Sequence, residues 1–428
     1  MDNQIKPETQ PEVKPADTIE ANQDIRVEKE LPKRMVNVPL VILGACLCVT
    51  VVIGVLVYVL LIKKDGANAS TASYIASGAN KSGDLATTQK SLEEALRESP
   101  DDPGLLAALI TTIANEGNLT GTEEVAFQKG KIHVDRGLKA HPEDTELLIA
   151  VGLLHEVSGR YDQALSFYEK ALSKEPDNSN GLFHKGHVLE FLGRVQESNA
   201  SYLRAYEIDK EDPLILMALG KMALAQGKTD DSVDFYKAAA QAPNVAAYLK
   251  AEALTNASII RRNQMLYMEE AIDLAEQAVE AYPNSSPAHA ALGFAYGING
   301  KIVEGVDHMK KAIAANPRIS QNYWYLGMLL RSVKEYDDAL KYQIEGYARL
   351  ETDNTLLGNE LRAKIKGAMA YDLAKTTYMS GKTDGVMGLL TTALTYDPAL
   401  KTQLASDVTQ YAQFKTLANQ AEMKALIQ

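Results

Sequence analysis

The chain has 428 residues, a formal net charge of −12 and 46% apolar residues, enough for two or three ordinary domains. Acidic side chains outnumber basic ones beyond Ile62 as they do overall, which excludes nucleic acid as a partner, since phosphate binding needs a basic face. Both cysteines, Cys46 and Cys48, lie in one apolar run, so the remainder offers no disulfide and no thiolate chemistry.

Residues 1–34 are rich in Pro, Glu, Lys, Asp and Gln and lack aromatics, so they cannot bury enough surface to fold. They read as a polar tail. An anchor helix is expected over 36–62, because Val38–Ile62 is 25 residues without a charge, long enough to cross a bilayer. Lys33-Arg34 precedes it and Lys63-Lys64 follows; the slight excess of basic residues on the N-terminal side favours a cytoplasmic N-terminus. Leu43-Gly44-Ala45-Cys46 resembles a lipobox and Ala67-Asn68-Ala69 a signal-peptidase site, but the apolar run is too long for either. The expectation is an uncleaved single-pass anchor in the inner or plasma membrane, with the rest of the chain outside the cytoplasm. An Ala, Ser, Asn and Gly-rich linker over 65–83 follows.

Asp84–Ser99 is the first clear helix, with Leu85, Leu92, Ala95 and Leu96 on one face and Pro100 as its stop. Pro103–Glu116 and Glu123–Ala140 form a diverged hairpin with a turn through Gly117 and Gly121. From Thr145 a regular pattern sets in. Leu148, Val151, Gly152 and His155 lie at helical spacing, Ser158-Gly159-Arg160 makes a turn, and Ala164, Tyr168 and Ala171 mark a second helix that Pro176 ends. Gly152, Gly186 and Gly220 are 34 residues apart, as are Gly159, Gly193 and Gly227. Leu292-Gly293 and Leu326-Gly327 repeat the pattern further on, again 34 apart. A small residue is needed wherever two helices press together, and a hairpin that cannot bury its own apolar face must recur.

The spacing Leu148-x2-Val151-Gly152-x2-His155, then Ala164-x3-Tyr168 and Pro176, resembles the tetratricopeptide repeat. The resemblance implies an all-α, right-handed superhelical solenoid of about eight hairpins over 84–398. Irregular stretches are expected at 101–142, 246–284 and 353–398. Residues 399–428 would add capping helices, with Lys401, Asp407, Gln410, Lys415 and Lys424 on a polar outer face.

No Gly-rich phosphate loop, HExxH or G-x-S-x-G is present, so neither an enzyme nor a cofactor is expected. His184, His187 and Glu190 share one helix at spacings of three, too few ligands for a closed metal site and more simply polar groove residues. The Asn-x-Ser/Thr matches at Asn68, Asn118, Asn199, Asn256 and Asn284 are what chance supplies. Within the resemblance, the first helix of each hairpin lines a concave groove. It places there Ile149 and Leu153, then Phe183, His187 and Phe191, then Met217 and Lys221, and later Phe294, Trp324, Met328 and Arg331. Some family members clamp a C-terminal carboxylate at such positions with basic side chains; Ile149, Leu153 and Phe183 do not match that pattern. Apolar, aromatic and Met residues suit a peptide, an amphipathic helix or an extended apolar segment. The competing reading is that these side chains pack against their own neighbours. The partners expected are therefore other proteins in the groove, a lipid bilayer through 38–62, and a second copy stacked on an array end. The function expected is a membrane-tethered scaffold that assists assembly of an envelope complex, or alternatively a permanent subunit of an envelope machine or filament.

Overall fold

The computed structural model describes residues 82–353, 359–410, 417 and 421–427. The polar tail, the anchor span 36–62 and all but the end of the linker lie outside the described residues. Among those described, no helix is long and apolar enough to cross a membrane, and there is no strand.

The described chain folds into helices α1 Ser82–Glu98, α2 Pro103–Thr120, α3 Glu123–Ala140, α4 Thr145–Val157, α5 Tyr161–Lys174, α6 Ser179–Phe191 and α7 Val195–Ile208. Next come α8 Pro213–Ala225, α9 Thr229–Gln241, α10 Ala247–Asn263, α11 Met268–Ala281, α12 Ser286–Ile298 and α13 Ile302–Ala315. The series closes with α14 Ser320–Ser332, α15 Tyr336–Arg349, α16 Asn359–Met379, α17 Val386–Tyr396, α18 Leu400–Gln410 and α19 Ala421–Ile427.

Local chemistry explains the regular boundaries. Asp144, Asn178 and Asp212, again 34 apart, stand just before α4, α6 and α8 and accept hydrogen bonds from the freed N–H groups of Leu147, Gly181 and Ile215. Each following turn closes at a left-handed residue: Gly159 at φ 69°, Gly193 at 72° and Gly227 at 78°. Met265 and Lys334 hold the same conformation at the α10–α11 and α14–α15 turns, at φ 49° and 69°. Within the hairpin the helical glycines permit close approach. A Cβ on Gly152 would lie 2.5 Å from the Tyr168 ring, and one on Gly186 would lie 2.8 Å from Tyr202.

Successive helices pack on their neighbours, and each buried cluster joins one hairpin to the next. Leu148, Ala164, Tyr168 and Leu189 bring together α4, α5 and α6; Leu182, Tyr202, Ala205 and Leu219 join α6, α7 and α8. Each fully buried Leu side chain contributes about 1.5–3 kcal/mol, so stability accrues hairpin by hairpin. The start is different. Helix α2 buries Leu106, Leu109, Ile110 and Ile113 completely, packed against α1, α3 and α4. Gly117 does not make a turn: α2 continues past it to Thr120 and ends at the left-handed Gly121, while Ala126 of α3 packs where a Gly117 side chain would be. The extra residues of the irregular stretch after Val245 go into α10, which has 17 residues where α8 and α12 have 13.

At the C-terminal end α18 and α19 cover the last hairpin, burying Leu404, Leu417 and Met423. Asp407 was expected on the polar outer face; it is instead 1% exposed and accepts from Tyr371 Oη and Lys375 Nζ, both at 2.8 Å. The acid points inward because two donors from α16 are there to receive it. Lys424 is exposed, as a capping surface requires.

Candidate protein-binding groove

The first helices of successive hairpins are joined side by side by polar clasps. On α4, Glu156 is 8% exposed and receives the Tyr168 hydroxyl at 2.5 Å and His187 Nδ1 of α6 at 2.6 Å. His184 Nδ1 lies 3.4 Å away on the same carboxylate. Burial alone would raise the Glu156 carboxyl, but the two imidazoles facing it prevail and hold it well below the usual carboxylate range. Burial and that carboxylate together push the Tyr168 hydroxyl far up. One repeat later the pattern returns: Glu190 of α6 bridges Lys221 of α8 at 2.6 Å and receives the Tyr202 hydroxyl at 3.4 Å. A third clasp joins α14 to α16. The Asp372 carboxylate, 2% exposed, receives Trp324 Nε1 at 2.7 Å and Arg331 at 2.8 Å, and Arg331 also reaches Thr376 Oγ1 at 3.2 Å.

Aromatic contacts run along the same face. Phe191 stacks on Tyr161 with centroids 4.6 Å apart and an 8° tilt, and meets His187 edge-on at 5.0 Å. Phe183 lies 6.3 Å from His187 and 5.9 Å from Tyr202. Further on, the Arg262 guanidinium sits 4.7 Å over Phe294, which contacts Tyr325 at 4.6 Å, and Tyr325 stacks on Trp324 at 5.5 Å.

These positions sort the expected groove residues. Leu153, Phe183, His187, Phe191, Met217, Lys221, Trp324 and Arg331 are half-buried and retain a solvent-facing part. Ile149, Phe294 and Met328 are interior residues, 6%, 4% and 8% exposed, and offer a ligand almost nothing. Ile149 is covered by α6 at Gly181, which has no side chain to hold the helices apart, and Phe294 is covered by Tyr325 and Arg262. The sequence reading missed Glu156 and Asp372. A signal for the first was there: Glu156 and Glu190 occupy the same repeat position, each with a tyrosine 12 residues later. Asp372 lies 41 residues from Arg331, outside the 34-residue register, and nothing local marks it.

The helix-borne trio His184, His187 and Glu190 is divided, with both imidazoles on Glu156 and Glu190 turned to Lys221. Among the described residues no group of three His, Cys, Asp or Glu side chains is arranged to hold a metal ion.

Residues 145–178 match one family profile of the tetratricopeptide repeat and residues 183–247 match another. The chain carries tetratricopeptide repeats. It is 30% identical over 162 residues to a TPR repeat-containing protein of Pseudomonas aeruginosa, an alignment covering 38% of this chain and 26% of that one. It is 23% identical over 205 residues to the BBSome complex member bbs-4 of Caenorhabditis elegans, covering 45% and 43%. The chain thus spans about a quarter of the first relative's length and less than half of the second's. Among solved structures, the APC/C hetero-tetramer Cut9-Hcn1 superposes with a TM-score of 0.50 at 14% identity, over 67% of this chain and 52% of that one, a likeness of fold alone. Proteins built on this repeat mediate protein–protein contacts and assembly.

Proposed function

We propose that the array is a protein-binding scaffold whose groove, on the face of α4, α6, α8 and α14, takes an apolar segment of a partner, either an amphipathic helix or an extended strand. One observation carries the reading: the groove's polar side chains are already satisfied by each other. Lys221 is neutralised by Glu190 and Arg331 by Asp372, while His187 is bonded to Glu156. A ligand carboxylate would have to displace a buried partner of the same charge. What remains to be covered is Leu153, Phe183, Phe191 and Met217, where a few buried anchors supply most of the binding energy.

The apolar span Val38–Ile62 makes the scaffold membrane-tethered in this proposal, with its N-terminus cytoplasmic and the array outside, where it would organise an envelope complex. A second reading, a permanent subunit of a large assembly, is favoured by the similarity to a BBSome complex member. Crosslinking in cells followed by purification and mass spectrometry tests both, run on the wild type beside a Phe183→Ala, Met217→Ala variant. Both side chains are half-buried and pack on the hairpin clusters, so the helical content of the variant is checked before its partners are compared. Partners that fall about tenfold or more in the variant support groove binding. An unchanged partner list overturns it. Partners recovered at fixed stoichiometry through high salt would favour the permanent subunit.

A further inference from the structure

Outside the groove, two imidazoles face each other across the α12–α13 hairpin. His289 Nδ1 and His308 Nδ1 are 3.0 Å apart, and His289 Nε2 is 3.0 Å from the Pro283 carbonyl oxygen. A carbonyl only accepts, so His289 carries a proton on Nε2 in every charge state that keeps this bond. The neutral pair is then fully determined: His289 Nδ1 accepts and His308 Nδ1 donates. One added proton still leaves a single N–H between the rings. A second puts two N–H groups and two positive charges face to face at hydrogen-bond distance, and the contact cannot survive.

We propose that the His289–His308 contact is an acid-operated catch that holds α12 and α13 together near neutral pH and releases when both rings are charged. The surroundings give little relief. His289 is 7% exposed. Asp307 of α13 faces the pair but is bonded to Lys311 at 2.8 Å, and Glu276 of α11 is taken by the Tyr296 hydroxyl. Tyr296 of α12 meets His308 edge-on at 5.7 Å, Lys301 lies over the Tyr296 ring, and Glu304 is the remaining acid on α13 near that ring. Both imidazoles sit below their ordinary range: burial dominates at each, the Pro283 carbonyl and Asp307 oppose it at His289, and at His308 the His289 ring and Lys311 add to it against Asp307 and Glu276. Groups with depressed values stabilise the fold above the unfolded imidazole range, about 6.5, and that contribution is lost as pH falls through the folded values. Carboxylates of ordinary strength stay charged down to about 4.5, so the response is sought between there and the ordinary imidazole range.

The position gives the catch its consequence. In an array whose contacts run only between neighbours, loosening one internal hairpin uncouples the repeats before it from those after it. This holds whatever the groove binds.

Hydrogen–deuterium exchange on the full chain in detergent tests it, with protection factors compared at about pH 7.5 and pH 5.2. The expected result is a loss of protection of about tenfold or more in α12 and α13 relative to α8 and α9. His308→Gln keeps an N–H donor toward His289 and removes one titrating ring, so the acid response should vanish. Equal protection changes in all hairpins, or an undiminished response in His308→Gln, overturns the proposal. Should that variant fold poorly, nitrogen-15 spectra of the wild-type imidazoles decide. The second proton must arrive together with the loss of protection; its arrival without that loss refutes the catch.

Discussion

Replacing Glu156 by Gln asks whether the buried clasp between α4 and α6 stabilises the array or merely occupies it. The native carboxylate accepts two short bonds, from Tyr168 at 2.5 Å and His187 at 2.6 Å, with His184 3.4 Å away. Hydrogen bonds to a charged group contribute about 1.5–3 kcal/mol each, so the two short ones sum to roughly 3–6 kcal/mol. Gln keeps one acceptor, turns an NH2 toward a donor, and spares the burial cost of a charge, which returns part of the loss. The net expectation is destabilisation by about 2–3 kcal/mol at neutral pH. Because the carboxyl is depressed in the fold, its contribution is complete above the ordinary carboxylate range, about 4.5, and declines as pH falls below it. The penalty of the variant should therefore shrink toward acid. Urea unfolding followed hairpin by hairpin through hydrogen exchange is the appropriate assay, because an array need not unfold as one unit. A penalty below about 0.5 kcal/mol at neutral pH would refute the reasoning, placing the clasp among buried pairs whose desolvation cancels their attraction. So would a penalty that grows as pH falls below about 4.5.

Arg331→Met removes the cation from Asp372, which is 2% exposed and retains the Trp324 N–H. Stranding that carboxylate should cost about 3–5 kcal/mol, read as early loss of exchange protection in α14 and α16. At the α10–α11 turn, Met265 occupies a left-handed conformation at φ 49° that glycine fills in most other turns. Met265→Gly should stabilise the hairpin by up to about 1 kcal/mol in chemical unfolding, and a loss of stability would show that the freedom glycine adds to the unfolded chain outweighs the strain relieved.

How much of this was legible in the sequence follows the range of the forces involved. Caps at Asp144, Asn178 and Asp212, left-handed glycines and the Gly152–Tyr168 approach act within one hairpin, and a 34-residue period displays them directly. The clasps act between hairpins. Glu156 meets His187 at a separation of 31 residues and Arg331 meets Asp372 at 41, so only the spatial arrangement reveals which charge is already partnered. The same limit explains Ile149 and Phe294, whose burial depends on Gly181 and Tyr325 in the following hairpin. It also explains Asp407, polar by type and turned inward by Tyr371 and Lys375.

The irregular hairpin shows why the array keeps its faces in phase despite the interruption. Helix α10 has 17 residues against 13 in α8 and α12, an excess of four. At about 3.6 residues per turn, four residues add one full turn and leave a drift of only about 40°. The face that α10 presents to its neighbours is nearly preserved, which is why Arg262 still reaches Phe294 on α12. The clasp series changes at the same place. Leu224 stands on α8 where Glu156 and Glu190 stand on α4 and α6, so that position has no carboxylate to offer α10. Carboxylate clasps between first helices at α4–α8 and α14–α16 thus flank a middle in which Arg262 of α10 lies over Phe294 of α12, while its neighbour Arg261 is held by Asp230 of α9 and Glu270 of α11. Because each contact is made only between neighbours, a partner gains binding energy locally, from the few anchors it covers, rather than from the array as a whole.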